Sequence, residues 1–133
     1  MKAIKFSWQT VIMWVGDILT LVIITLIGFR SHNEINAGIS RMLATLIPLL
    51  AAWYFVAYPG GLLKVDLSSS YRNLWQVVWA MVLVGPLAAV LRGFWLNVPV
   101  VPVFAVVLGG TGALGMLAWR AIFGLWLSRA RFN

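Results

Sequence analysis

Four long apolar runs divide the chain, over residues 8–29, 36–58, 73–94 and 100–127. Between them lie short stretches rich in polar residues, glycine and proline, at residues 30–35, 59–72 and 95–99. A transmembrane α-helix needs about 20 mainly apolar residues, so the pattern predicts four spans. A β-barrel is excluded because polar and apolar residues do not alternate and four strands cannot close one. The expected fold is all-α, a single transmembrane domain over residues 1–133 that forms a four-helix bundle with short loops.

Local punctuation fits these boundaries. Ser31 and Glu34 have capping-box spacing before the second run, and Asn73 and Gln76 have it before the third. Pro59-Gly60-Gly61 closes the second run, and Pro99 and Pro102 open the fourth, where proline is tolerated. Pro48 and Pro86 fall inside the second and third runs, where they are expected to kink the helices. The segment 59–72 is the longest connection, and its Lys64, Asp66 and Ser68-Ser69-Ser70 are expected to face water. A pattern repeats weakly: Trp8-Gln9 as Trp75-Gln76, Gly28-Phe29 as Gly93-Phe94, Ala52-Trp53 as Ala118-Trp119. The near-constant offset is that of a duplicated helical hairpin, and a tryptophan-rich chain also produces such pairs by chance.

Composition supports the membrane class. The 133 residues are 62% hydrophobic and 10% charged, with a mean hydropathy of +0.96. A soluble domain carries about a quarter charged residues, and one this small leaves much of its chain exposed. The net charge of +7 does not point to nucleic acid, because the basic residues flank the spans rather than forming a stripe. Lys2, Lys5, Lys64, Arg72, Arg129 and Arg131 fall on one side, and Arg30, Arg41 and Arg92 on the other. The rule that the more basic side is cytoplasmic places both termini and the 59–72 connection in the cytoplasm, in a bacterial inner membrane. The first run is too long for a signal peptide and contains Asp17, so it is expected to be a retained span. There is no cysteine, which excludes disulfides, thiolate metal sites and cysteine nucleophiles.

Two residues are costly where they fall. A charge near the bilayer centre costs about 2.5–3.5 kcal/mol on insertion scales. Asp17 lies nine residues beyond Trp8, about 13 Å into the membrane, and Arg120 lies eight before Ser128, about 12 Å in from the same side. They are expected to face the bundle interior and pair. Arg92, the competing partner, sits near the far end of the third span and is able to snorkel to the headgroups. The pair reads either as a clamp that fixes helix register or as a proton or substrate site.

Other candidates are weaker. Gly109, Gly112, Ala113 and Gly115 suit close helix packing; the glycines lack the lysine ending of a phosphate loop. Trp14, Trp79 and Trp119 lie deeper than an interfacial belt requires, so they read either as core packing beside that belt or as a surface for a flat hydrophobic ligand such as a chlorophyll-type chlorin, carotenoid or quinone. No cofactor is required. His32, the single histidine, lies with Arg30 and Ser31 at the far interface, where the three suit a lipid phosphate or, through the imidazole, a haem or chlorophyll metal. No metal cluster or nucleophile–base pair appears, so a self-contained enzyme is not expected.

Gly16-Asp17, Gly28-Phe29-Arg30-Ser31-His32 and Trp119-Arg120, in that order, resemble a family of small four-helix bacterial membrane proteins catalogued as a domain of unknown function, found in phototrophic filamentous bacteria and actinobacteria among others. Phe29 stands where a second basic residue is expected. The resemblance implies no activity; it places Asp17, Arg30, His32 and Arg120 on the family pattern.

Three functions fit these residues. The first is an accessory or assembly subunit of a larger membrane complex, photosynthetic or respiratory, packed against partner helices, lipid and a pigment or quinone. The second is a small oligomeric transporter or channel using Asp17 and Arg120. The third is a pigment- or quinone-binding protein acting alone.

Overall fold

A computed structural model describes residues 7–31, 38–65 and 73–132, the last two without their side chains. Four helices follow one another: α1 (Trp8–Ser31), α2 (Ile39–Ala57), α3 (Leu74–Leu96) and α4 (Pro102–Phe132). All four are long and apolar enough to cross a membrane, and the protein is a multi-pass membrane four-helix bundle. Each helix packs chiefly on two others, closing a ring in which α1 meets α2, α2 meets α3, α3 meets α4 and α4 meets α1. The α3–α4 contact is the most extensive, and the α1–α2 and α1–α4 contacts are the slighter ones.

The helices are apolar on every side, so their inward faces are marked by residue size rather than by polarity. On α3 the buried positions are Val77, Ala80, Met81, Val84, Gly85, Ala88, Ala89 and Gly93, a helical stripe dominated by small side chains. Without a hydrophobic force between helices in lipid, close backbone approach supplies the packing energy. Gly85 and Gly109 are the point of closest approach: a Cβ on Gly85 would stand 2.8 Å from both the Ala105 carbonyl oxygen and the Gly109 Cα. Around this contact a core forms from Leu21, Leu49, Trp53, Met81, Val84 and Met116. A smaller cluster of Met13, Phe123 and Leu127 lies toward the N-terminal end of α1.

The connections differ from the expected punctuation. Ser31 is the last residue of α1, and its hydroxyl donates back to the Gly28 carbonyl (2.9 Å) instead of capping α2. Gly38, at φ 95°, precedes α2. Asn73 stands at the N-terminus of α3 but makes no side-chain capping bond. Asn97 ends α3 in the left-handed region at φ 54°, a conformation asparagine tolerates better than most residues. Pro102 opens α4, and Pro48 and Pro86 lie inside α2 and α3.

The α2–α3 connection is not simply a water-facing loop. After Ala57 it folds back under the bundle, where Leu62 and Leu63 are buried and Lys64 is half-buried. Gly61, at φ 72°, makes the reversal, and the Leu62 amide returns to the Ala57 carbonyl (3.0 Å). Two adjacent leucines favour burial over hydration, which the neighbouring Lys64 masked in the sequence pattern. Asp66 and Ser68-Ser69-Ser70 lie outside the described residues.

Candidate functional site

Residues four apart on a helix lie on one face, so Met13 and Asp17 point the same way from α1. Trp119 and Arg120 approach from α4, Trp53 from α2, and the folded-back connection brings the Leu62 carbonyl. The structure joins these groups around a single ion pair. Arg120 grips Asp17 with two parallel bonds, Nε to Oδ1 at 2.9 Å and Nη2 to Oδ2 at 2.6 Å. A fork-on-carboxylate geometry of this kind combines charge with directional hydrogen bonding. The Asp17 side chain is 0% exposed and that of Arg120 1%.

Each carboxylate oxygen also receives an indole N–H. Trp119 Nε1 donates to Oδ1 at 3.1 Å, and Trp53 Nε1 donates to Oδ2 at 3.3 Å. The other side of the guanidinium is equally occupied: Nη1 donates to the Leu62 carbonyl at 2.9 Å and lies 3.2 Å from the Met13 sulfur. The Trp53 ring centroid is 5.7 Å from Arg120 Cζ, within reach of a cation–π attraction. Among the described residues no buried side-chain nitrogen or oxygen lacks a partner.

Local sequence explains the fit. Gly16, beside Asp17, has no side chain, and the Trp119 ring occupies the space its Cβ would fill. The connection is pinned from below, because Trp14 Nε1 donates to the Leu63 carbonyl at 3.2 Å and the Trp14 and Tyr54 rings meet edge to face. Irregular backbone is tolerated at membrane depth where protein groups satisfy it, and here Arg120 and Trp14 do so.

Sequence reasoning brought Asp17 and Arg120 to one depth but missed Trp53, Met13 and Leu62. The available signal was the repeat: Ala52-Trp53 and Ala118-Trp119 occupy α2 and α4, and both indoles reach the one carboxylate. The repeat also marks an asymmetry, since Arg120 follows the second tryptophan and Tyr54 the first.

The remaining candidates are scattered. Trp14, Trp79 and Trp119 do not line one surface: Trp14 and Trp119 pack against the Met13–Phe123–Leu127 cluster, whereas Trp79 is 62% exposed on the outside of α3. Gly109 meets α3 backbone, Gly112 meets Met81 and Gly115 meets Ile24 and Thr20, while Ala113 packs at the edge of the core. Arg92 lies far from Asp17; its Nε donates to Thr45 Oγ1 at 2.9 Å and its guanidinium lies 4.7 Å from the Phe104 ring centroid. Arg30 is exposed, and His32 lies outside the described residues. Among the described residues no group of three histidine, cysteine, aspartate or glutamate side chains is placed to hold a metal.

One family model matches residues 14–123. The chain belongs to DUF3054, a family of proteins of unknown function. The DUF3054 segment contains Asp17, Trp53, Leu62, Trp119 and Arg120, and of the groups around the ion pair only Met13 lies outside it. No curated protein and no solved structure matches the chain.

Proposed function

We propose that this DUF3054 protein is an accessory or assembly subunit of a larger complex in the bacterial cytoplasmic membrane, with an energy-transducing complex, photosynthetic or respiratory, as the host. The observation that carries this reading is the closure of the Asp17–Arg120 pair. Intramembrane charges serve transport or catalysis when a substrate, proton or water reaches them. Here both side chains are sealed, and the carboxylate and guanidinium are met by Trp53, Trp119, Leu62 and each other. The charges lock three helices and a connection into a fixed unit.

That unit offers its outside to the membrane. In no span does burial within the chain exceed 39% of the most apolar window. Trp75, Trp79 and Trp126 lie on the outer surface, where aromatic side chains suit lipid, a pigment, a quinone or a partner helix. Gly110 has open space in front of it, which permits close approach of a helix from outside.

The test is purification from the native membrane in a mild detergent, followed by mass spectrometry of the intact assembly. Partner subunits in fixed stoichiometry are expected. Recovery of the protein only as a monomer or homo-oligomer refutes the proposal.

A further inference from the structure

A second feature lies at the opposite end of the bundle from the charge clamp. Where α1 meets α4 near Gly16 and Gly115, the helices touch: Trp119 fills the space beside Gly16, and Gly115 lies against Ile24 and Thr20. Beyond Ile24 they part, leaving a half-open cleft of about 690 Å³. This volume falls within the range of small-molecule sites, about 300–1,000 Å³. Gly28 contributes to the opening, because nothing stands within 4 Å of where its Cβ would be.

Ile24, Phe104 and Leu108 form apolar wall, Thr25 and Thr111 turn their hydroxyls back to the Leu21 and Val107 carbonyls of their own helices, and Arg92 supplies the charge among Ser31 and Thr45. Arg92 lies four residues from the end of α3, about 6 Å along the helix, and Ser31 is the last residue of α1. Leu114 lies twelve residues into α4, about 18 Å deep. The cleft thus has Arg92 at its interfacial mouth and runs toward the bilayer centre, open sideways at the exposed Leu114. Arg92 is fixed in its wall by Thr45 and Phe104. In the sequence, the residues assigned to this side include Arg30, Arg41 and Arg92 against the single carboxylate of Glu34, an excess of positive charge.

We propose that this cleft binds one anionic phospholipid, with an acyl chain between α1 and α4 and the phosphate held at the mouth by Arg92. Charge complementarity sets the headgroup, and the lateral opening lets an acyl chain enter from the bilayer. Ile27, Val103 and Val107 at its edges are half-exposed or more, as an entrance from the hydrocarbon requires. This site is separate from the partner-binding reading and stands whether or not partners co-purify.

The experiment uses the full chain reconstituted in bilayers of equal parts phosphatidylglycerol and phosphatidylcholine, released in mild detergent and weighed by native mass spectrometry. One phosphatidylglycerol per chain is expected, retained about tenfold over phosphatidylcholine, whose choline cation offsets the attraction of its phosphate to Arg92. Arg92→Gln should bring the two lipids near parity. Val107→Trp, on an outward-facing position, should fill the cleft and abolish retention of both while leaving the core intact. Equal retention of the two lipids by the unaltered protein overturns the proposal, as does unchanged retention by Val107→Trp. Recovery of a free fatty acid in place of the phospholipid overturns it as well.

Discussion

Asp17 accepts four hydrogen bonds within the membrane, two from Arg120 and one each from Trp53 and Trp119. Removing one member of a buried ion pair strands the other charge, at a cost of about 3–5 kcal/mol, whereas replacing both members with apolar groups is often neutral. Asp17→Asn and Arg120→Gln should therefore each lose about that much stability in reversible denaturation in detergent. The double change Asp17→Leu with Arg120→Met should recover most of it. Single-variant losses below about 1 kcal/mol would mean that the pair contributes little to holding the bundle. The shared depth of the two charges followed from counting residues at 1.5 Å each. The indole donors did not, because tryptophan near a membrane surface serves equally as an interfacial anchor, and only the approach of α2 and α4 to one carboxylate separates the two roles.

At the scale of the helices, packing depends on which glycines face inward. Gly85 and Gly109 bring the α3 and α4 backbones together, while Gly110 faces open space. Gly85→Ala should push the two helices apart and destabilise the bundle by about 1–3 kcal/mol, the usual range for overpacking. Gly110→Ala should be neutral or slightly stabilising, because alanine favours the helix and meets nothing. Thermal unfolding of the two variants side by side decides this; equal effects would contradict the inward–outward assignment. Helix existence was legible from the length of the apolar runs, since lipid demands a fixed span. Capping was less legible: Ser31 and Glu34 have the right spacing, yet α1 runs on through Ser31 and its hydroxyl turns back on Gly28. The fold-back of residues 58–65 was hidden for a similar reason. Its burial depends on Arg120 and Trp14 donating to its carbonyls, and both are distant in sequence.

At the scale of the whole molecule, the distribution of basic residues sets the expected orientation. The chain has no cysteine, so single cysteines report topology cleanly. With Ser7→Cys, a membrane-impermeant maleimide should fail to label intact cells; with Val98→Cys, it should label them. The reverse pattern would invert the assigned orientation and put the charge clamp nearer the outer leaflet. The charge clamp and the cleft occupy opposite ends of the bundle, so α1 and α4 are locked together at one end and separated at the other.

The amino-acid sequence by itself determined the number of spans, the helical class and the depth of each intramembrane charge. These depend only on local length and hydropathy, which a bilayer of fixed thickness reads one segment at a time. The tertiary structure alone decided which tryptophans serve Asp17, that Leu62 closes over Arg120, and that α1 and α4 part to leave a cleft. Those features depend on how rigid helices cross and on where small residues let them touch. In a chain that is apolar on every side, periodicity carries no signal for that.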